Sequence, residues 1–221
     1  MTSRLDVAIE TGDRKVFASA LDWPGWSRSG RTEEAAVEAL LDYATRYAPV
    51  ANAADLDFPR AFDVQVVDRA RGGTGTDFGV PGILAHAADA RPVDGGEAER
   101  LASLVEAAWT TFDRVAAGAP AELRKGPRGG GRDRDKMVGH IIDSDWYYAR
   151  ELGLNGKAPS AGDRAAVDHM REEMLAILRQ PSDGAPIAGR TWPQRYAARR
   201  IAWHALDHAW EMQDRSEPEA G

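Results

Sequence analysis

Leu5, Val7 and Ile9 alternate with polar residues in the stretch RLDVAIE, the period-two pattern of a strand with one buried face. TGDRK supplies a hairpin turn and VFASALD a second strand. WPGW, residues 23–26, reads as a turn, because Pro24 presets its φ and Gly25 tolerates a positive one. Thr32 then suits a helix N-cap, with Glu33 and Glu34 facing the positive end of the helix dipole. The apolar stripe Val37, Leu40, Leu41, Ala44 and Tyr47 predicts a helix to about residue 47. Phe62, Val64 and Val66 in FDVQVVD mark a further strand, giving the order β-β-(β)-α-β.

Residues 70–96 are rich in Gly, Pro, Asp and Ala with little periodicity, and are read as a connection lying on the surface. Beyond them the period becomes helical. Stripes such as Leu101, Leu104, Ala108 and Phe112, or Val138, Ile142, Trp146 and Ala149, predict helices at about 97–117 and 134–152. Val167, Met170, Met174 and Leu178 predict a third at 163–179, and Pro193 opens a fourth at 193–214. Four helices of four to six turns joined by loops suit a four-helix bundle. The expected class is therefore α+β: a small α/β domain over 1–70, a connection over 71–96 and a helical bundle over 97–215. No internal repeat is evident.

Composition narrows the chemistry. The chain of 221 residues has no cysteine, which excludes disulfides, a cysteine nucleophile and thiolate ligands from the protein itself. A metal would rest on His, Asp or Glu. The formal charge of −7 argues against nucleic acid as a partner. No apolar run approaches the ~20 residues of a membrane span, and the charged N-terminus lacks a secretory h-region. A cytoplasmic protein acting on a small molecule is the expectation.

Only five histidines occur, and two of them stand four apart in RRIAWHALDHAW. His204 and His208 share one helix face with Ala197, Ile201, Ala205 and Met212, an inward stripe. Two imidazoles on an apolar face are costly to bury without partners, and a shared metal would satisfy both. The alternative is two separately satisfied histidines. His140 shifts the balance toward metal. If the second and fourth helices are antiparallel, His140 stands about seven residues from one start and the pair about eight from the other end. At about 1.5 Å per residue all three imidazoles reach one level. Three His ligands with an open position suit catalytic Zn(II), with Ni, Fe or Mn as alternatives. Asp143 and Asp207 are candidate acceptors for a ligand's other N–H, Asp143 the better placed. Tyr147 could donate to a bound ligand, although a bundle tyrosine reaching solvent is the commoner case. RKGPRGGGRDRDK, residues 124–136 and including Arg132, is a candidate anion loop, against the commoner reading of a solvated loop. His169 reads as an exposed helix residue and His86 as incidental. Trp203 and Trp210 are expected to pack, perhaps against the first domain.

GHIIDSDWYYARELG followed by RRIAWHALDHAWEMQ resembles the DinB-like (DinB/YfiT) superfamily over residues ~97–215. The resemblance implies an up-down-down-up bundle with His140, His204 and His208 on a divalent metal. It also implies a thiol-dependent transferase or isomerase, with a low-molecular-weight thiol such as mycothiol as cosubstrate. Many relatives have no established activity. The physical logic is that a metal displaces the proton of a thiol whose ordinary pKa is near ~8.5. Homodimers are common among such bundles. VFASALDWPGWSRSGRTEEAAVEALLDYA resembles the HicB-like fold over about residues 4–68, with Pro24, Gly25, Gly30, Thr32, Glu33, Glu34 and Ala35 in the pattern and Trp26 where cysteine is usual. The DNA-binding segment that accompanies that fold is not evident, so a binding, dimerising or lid role is expected. A thiol S-transferase is the first expectation. The alternatives are a non-catalytic binding or regulatory protein with a structural metal, and a hydrolase that uses water on the same three ligands.

Overall fold

The structure, a computed structural model, describes residues 2–82, 87–125 and 131–216. Strand β1 (Ser3–Thr11) lies inside a four-stranded sheet of order β3-β2-β1-β4. It pairs antiparallel with β2 (Val16–Ala20) through the tight turn closed by the Gly12 N–H on the Lys15 carbonyl. Strand β3 (Ser27–Gly30) continues the meander, and β4 (Phe62–Arg71) lies parallel to β1 with a bulge at Val7/Ala8. Leu5, Val7 and Ile9 are fully buried, as their alternation demands.

Every residue of β2 is buried, so this strand is covered on both faces. Ala18 and Ala20 belong to a core shared with Leu40, Tyr47 and Trp26. Phe17, on the opposite face, meets the Trp203 ring edge-on at 6.4 Å.

The helix expected to run to Tyr47 is two helices, α1 (Glu33–Asp42) and α2 (Ala44–Ala53), turning at Tyr43. The carbonyl of Leu40, freed where α1 ends, accepts from the Tyr43 N–H and from the buried Trp26 indole at 2.8 Å. A side-chain donor thus satisfies one of the orphan carbonyls of a helix end. Tyr47 donates to the Pro24 carbonyl at 2.8 Å and stacks on Trp26, so the WPGW turn is clamped to α2. Gly25 has φ +92°, and an added Cβ would lie 2.6 Å from Leu206 and 3.1 Å from Ala202. The turn therefore presses directly on the last helix.

The expected surface connection is more structured than its composition suggested. It contains a short helix α3 (Thr74–Phe78) and a 3-10 turn at Ala87–Ala90. Asp77 accepts from the backbone N–H groups of Asp13, Arg14 and Lys15, capping the β1–β2 hairpin. Asp89, fully buried, pairs with Arg199 of the last helix. The side chains of Asp77 and Asp89 anchor this segment at two points, and such polar anchors leave no apolar period to read.

Helices α4 (Gly95–Gly118), α5 (Arg134–Glu151), α6 (Arg164–Leu178) and α7 (Gln194–Ser216) lie within about two residues of the predicted boundaries. Asp94 and Asp163 cap α4 and α6 through the N–H groups of Glu97 and Ala166. Glu151 meets Thr191 at one end and Arg215 donates to the Arg124 carbonyl at the other, so α5 and α7 are antiparallel. Arg195 pairs with Glu97 while Gly118 and Ser216 border one groove, so α4 and α7 run together. Arg164 pairs with Asp113 and Arg179 with Glu106, so α6 opposes α4. Two helices thus point one way and two the other. Among the described residues no helix is long and apolar enough to cross a membrane.

Candidate metal centre

His140 projects from the second turn of α5, and His204 and His208 from successive turns of α7. Antiparallel packing brings all three to one level. Their ring centroids are 5.0, 5.1 and 4.9 Å apart, and one nitrogen from each lies within 4.8 Å of the others. The Nε2 atoms of His140 and His204 are 3.2 Å apart. Two imidazoles on a tetrahedral ion with Zn–N of about 2.0–2.1 Å place their nitrogens roughly 3.3 Å apart, so this pair already has the separation of two ligands. Among the described residues this is the one cluster of three such groups able to hold a metal.

The far nitrogens are engaged by other residues. The Nδ1 of His204 faces the Tyr148 hydroxyl at 3.3 Å, and that of His208 faces Glu211 at 2.9 Å. The first contact leaves His204 Nε2 directed at His140. The Glu211 carboxyl continues to Arg215 at 2.9 Å. Arg215 in turn donates to the Arg124 carbonyl, and its guanidinium packs where a Cβ on Gly131 would stand, 2.7 Å away. Gly131, with φ +114°, leaves room for this latch between α7 and the loop before α5. Carboxylate-to-histidine contacts of this type fix the ring and raise its basicity as a ligand.

The electrostatics favour the neutral form of His140 and His204. Burial, then the nearby His208 and Arg200, pull His204 down to about 2. His140 is lowered by its own burial and by Arg132 and His208. The hydrogen bond from His208, with Arg215 beyond it, holds the Glu211 carboxyl below its usual range. Burial pushes Tyr148 up to about 12, so its hydroxyl keeps its proton. Near neutral pH His140 and His204 are therefore uncharged, each with one nitrogen lone pair to offer.

The other expected residues sit at varying distances from this centre. Asp143 is exposed and acts on His140 through its charge. The contacts to the Nδ1 atoms of His204 and His208 belong to Tyr148 and Glu211, which the sequence reading missed. Glu211 had a signal, since it follows His208 by three residues on one helix face. Tyr148 had none, because its neighbour Tyr147 lies closer to the His140 face. The contact line of two crossing helices drifts around each of them, and two turns on it selects Tyr148. Tyr147 is 62% exposed. Arg132 is exposed, and its charge reaches both His140 and His204. Asp207 pairs with Arg28 at 3.1 Å, across to the sheet. His169 is exposed beside Glu173, and Trp203 and Trp210 meet Phe17 and Tyr43 of the N-terminal region. His86 and residues 126–130 of the glycine-rich loop lie outside the described residues.

No family model, curated protein or solved structure matches this chain.

Proposed function

We propose that the protein is a metal-dependent enzyme of the DinB-like kind, with His140, His204 and His208 as ligands of a divalent ion, Zn(II) first among Ni, Fe and Mn. The observation that carries this is the convergence of three imidazoles whose two closest Nε2 atoms stand at ligand spacing, with Tyr148 and Glu211 on the outer nitrogens. The donor set fits such an ion: three imidazole nitrogens, no carboxylate among the three, and a coordination position left open. Two helices antiparallel to the other two also agree with the up-down-down-up bundle of that superfamily. The HicB-like reading of the N-terminal region is supported by the β-β-β-α order and by the clamped WPGW turn, and assigns it a binding or covering role.

The reaction we favour is S-transfer from a low-molecular-weight thiol to a small electrophile, with mycothiol-type thiols as the candidate cosubstrate. When bound, the ion supplies Lewis acidity and lowers the pKa of a thiol placed at its open position. The chain's own residues do the rest. Glu211 and Tyr148 hold two rings in place, and Arg132 and Arg200 add positive charge near the centre that favours an anionic sulfur. Hydrolysis with water in the same position is the second reading, since the three ligands serve either nucleophile. A non-catalytic binding protein with a structural metal is the third.

Elemental mass spectrometry of the purified protein beside a His204→Ala, His208→Ala double variant tests the centre. Near-stoichiometric metal in the wild type and its loss in the variant are expected. A wild type that neither carries nor takes up Zn, Ni, Fe or Mn would sink the enzymatic reading and leave the binding protein. Turnover of a small thiol with a reactive electrophile by the loaded protein then separates transferase from hydrolase.

A further inference from the structure

Between strands β2 and β3 and helix α7 lies a narrow cleft of about 20 Å³, bordered by Ser19, Ser27, Tyr196, Arg199, Arg200 and Trp203. That space suits a single small ion or water and excludes a larger organic molecule. Two of its polar groups, the Trp203 indole Nε1 and the Arg200 Nη1, are buried donors left without a hydrogen-bond partner. Trp203 is 4% exposed. The hydroxyls of Ser19 and Ser27 are 2.6 Å apart, so one donates to the other and one proton remains free. The Tyr196 hydroxyl is committed to the Gly82 carbonyl.

The charges are equally one-sided. Arg199 is neutralised by Asp89, but Arg200 has no ion pair among the described residues. Its guanidinium lies 4.8 Å from the Trp203 ring centre and 5.6 Å from that of Tyr148. Aromatic faces stabilise a cation without neutralising it. Among the described residues no carboxylate borders the cleft. A buried donor left without an acceptor costs about 1–3 kcal/mol, more when charged, so an arrangement with two donors and a net positive charge calls for an occupant.

We propose that this cleft is a binding site for a halide-sized monoanion, held by Arg200, the Trp203 indole N–H and the Ser19–Ser27 hydroxyl pair. The anion supplies the missing counter-charge of Arg200 and ties the sheet to α7 one turn before His204. The site does not depend on the metal. Chloride is the abundant ion of this size and charge, and bromide is the probe.

The test uses metal-free full-length protein, prepared with a chelator so that no halide can sit on a metal. Thermal unfolding is followed as sodium bromide replaces sodium gluconate at constant ionic strength. The wild-type midpoint is expected to rise by a few degrees and to saturate. Arg200→Gln should abolish the rise and Trp203→Phe, which keeps the packing but removes the N–H, should reduce it. Far-ultraviolet circular dichroism verifies that both variants fold. Crystals soaked in bromide should show an anomalous peak in the cleft. An unchanged midpoint with only a water in the cleft would overturn the proposal. So would equal bromide responses in wild type and both variants. A larger response to formate than to bromide would overturn the size assignment, since a carboxylate would then be the occupant.

Discussion

At the scale of single residues, two of the three histidines are held by groups outside the cluster. Glu211 reaches His208 and Arg215 reaches Glu211, so the histidine cluster and the loop before α5 share one chain of charge-assisted contacts. Replacing Glu211 by Gln keeps the shape and removes the charge. We expect the metal affinity of Glu211→Gln to fall by about 10–100-fold, measured by competition with a chromophoric chelator, with the fold intact. An affinity equal to wild type would mean that His208 needs no help from its neighbour. Glu211 was legible in the sequence as the residue three beyond His208, whereas Tyr148 could be chosen over Tyr147 only once the helix crossing was known.

At the scale of elements, the helices were legible because their stripes are long and regular, and the N-terminal helix was misjudged because its stripe continues across a turn. Tyr43 breaks the helix while Leu40, Tyr47 and Val50 stay on the buried side, so periodicity alone saw one element. Between the bundle helices, α6 delivers Arg171 to Asp145 of α5 and Asp113 of α4, both at 3.0 Å. Asp145 is fully buried, and burial outweighs the pull of Arg171 and raises its carboxyl above the ordinary range. The native state therefore holds this proton more tightly than the unfolded chain does. The contribution of Asp145 is full below about pH 4 and is lost as pH rises through the native value. The stability of the wild type relative to Asp145→Asn should thus decline as pH rises from about 4 to 7, in urea titrations at several pH values. A constant or rising difference would show that the ion pair prevails over burial.

At the scale of the molecule, the sheet and the bundle share one core. The buried cluster runs from Leu5 and Val7 through Trp26 and Tyr47 to Ala202, Leu206 and Trp210 of α7. Arg28 of β3 reinforces this junction, lying 3.9 Å from the Tyr43 ring centre and pairing with Asp207. A shared core of this kind predicts a single cooperative unfolding transition, with tryptophan fluorescence and circular dichroism coincident. Leu5→Ala, deep in the sheet, should cost about 2–5 kcal/mol and shift both probes together. Two separated transitions, with only one moved by the substitution, would show that the two regions fold independently.

The sequence by itself determined three of the four strands, the four long helices and the histidine pair, because each is a matter of local period and spacing; β3, SRSG, has no such period. Four residues on a helix bring His204 and His208 to one face whatever surrounds them. Tertiary structure decided what no local period encodes: the approach of His140 across antiparallel helices, the choice of Tyr148 and Glu211 as partners, and the burial that strips His204 of its proton. It also decided the cleft at Arg200, whose lining comes from residues some 180 positions apart in the chain. Spacing sets which face a side chain occupies, but only packing sets what that face meets and how much water remains there.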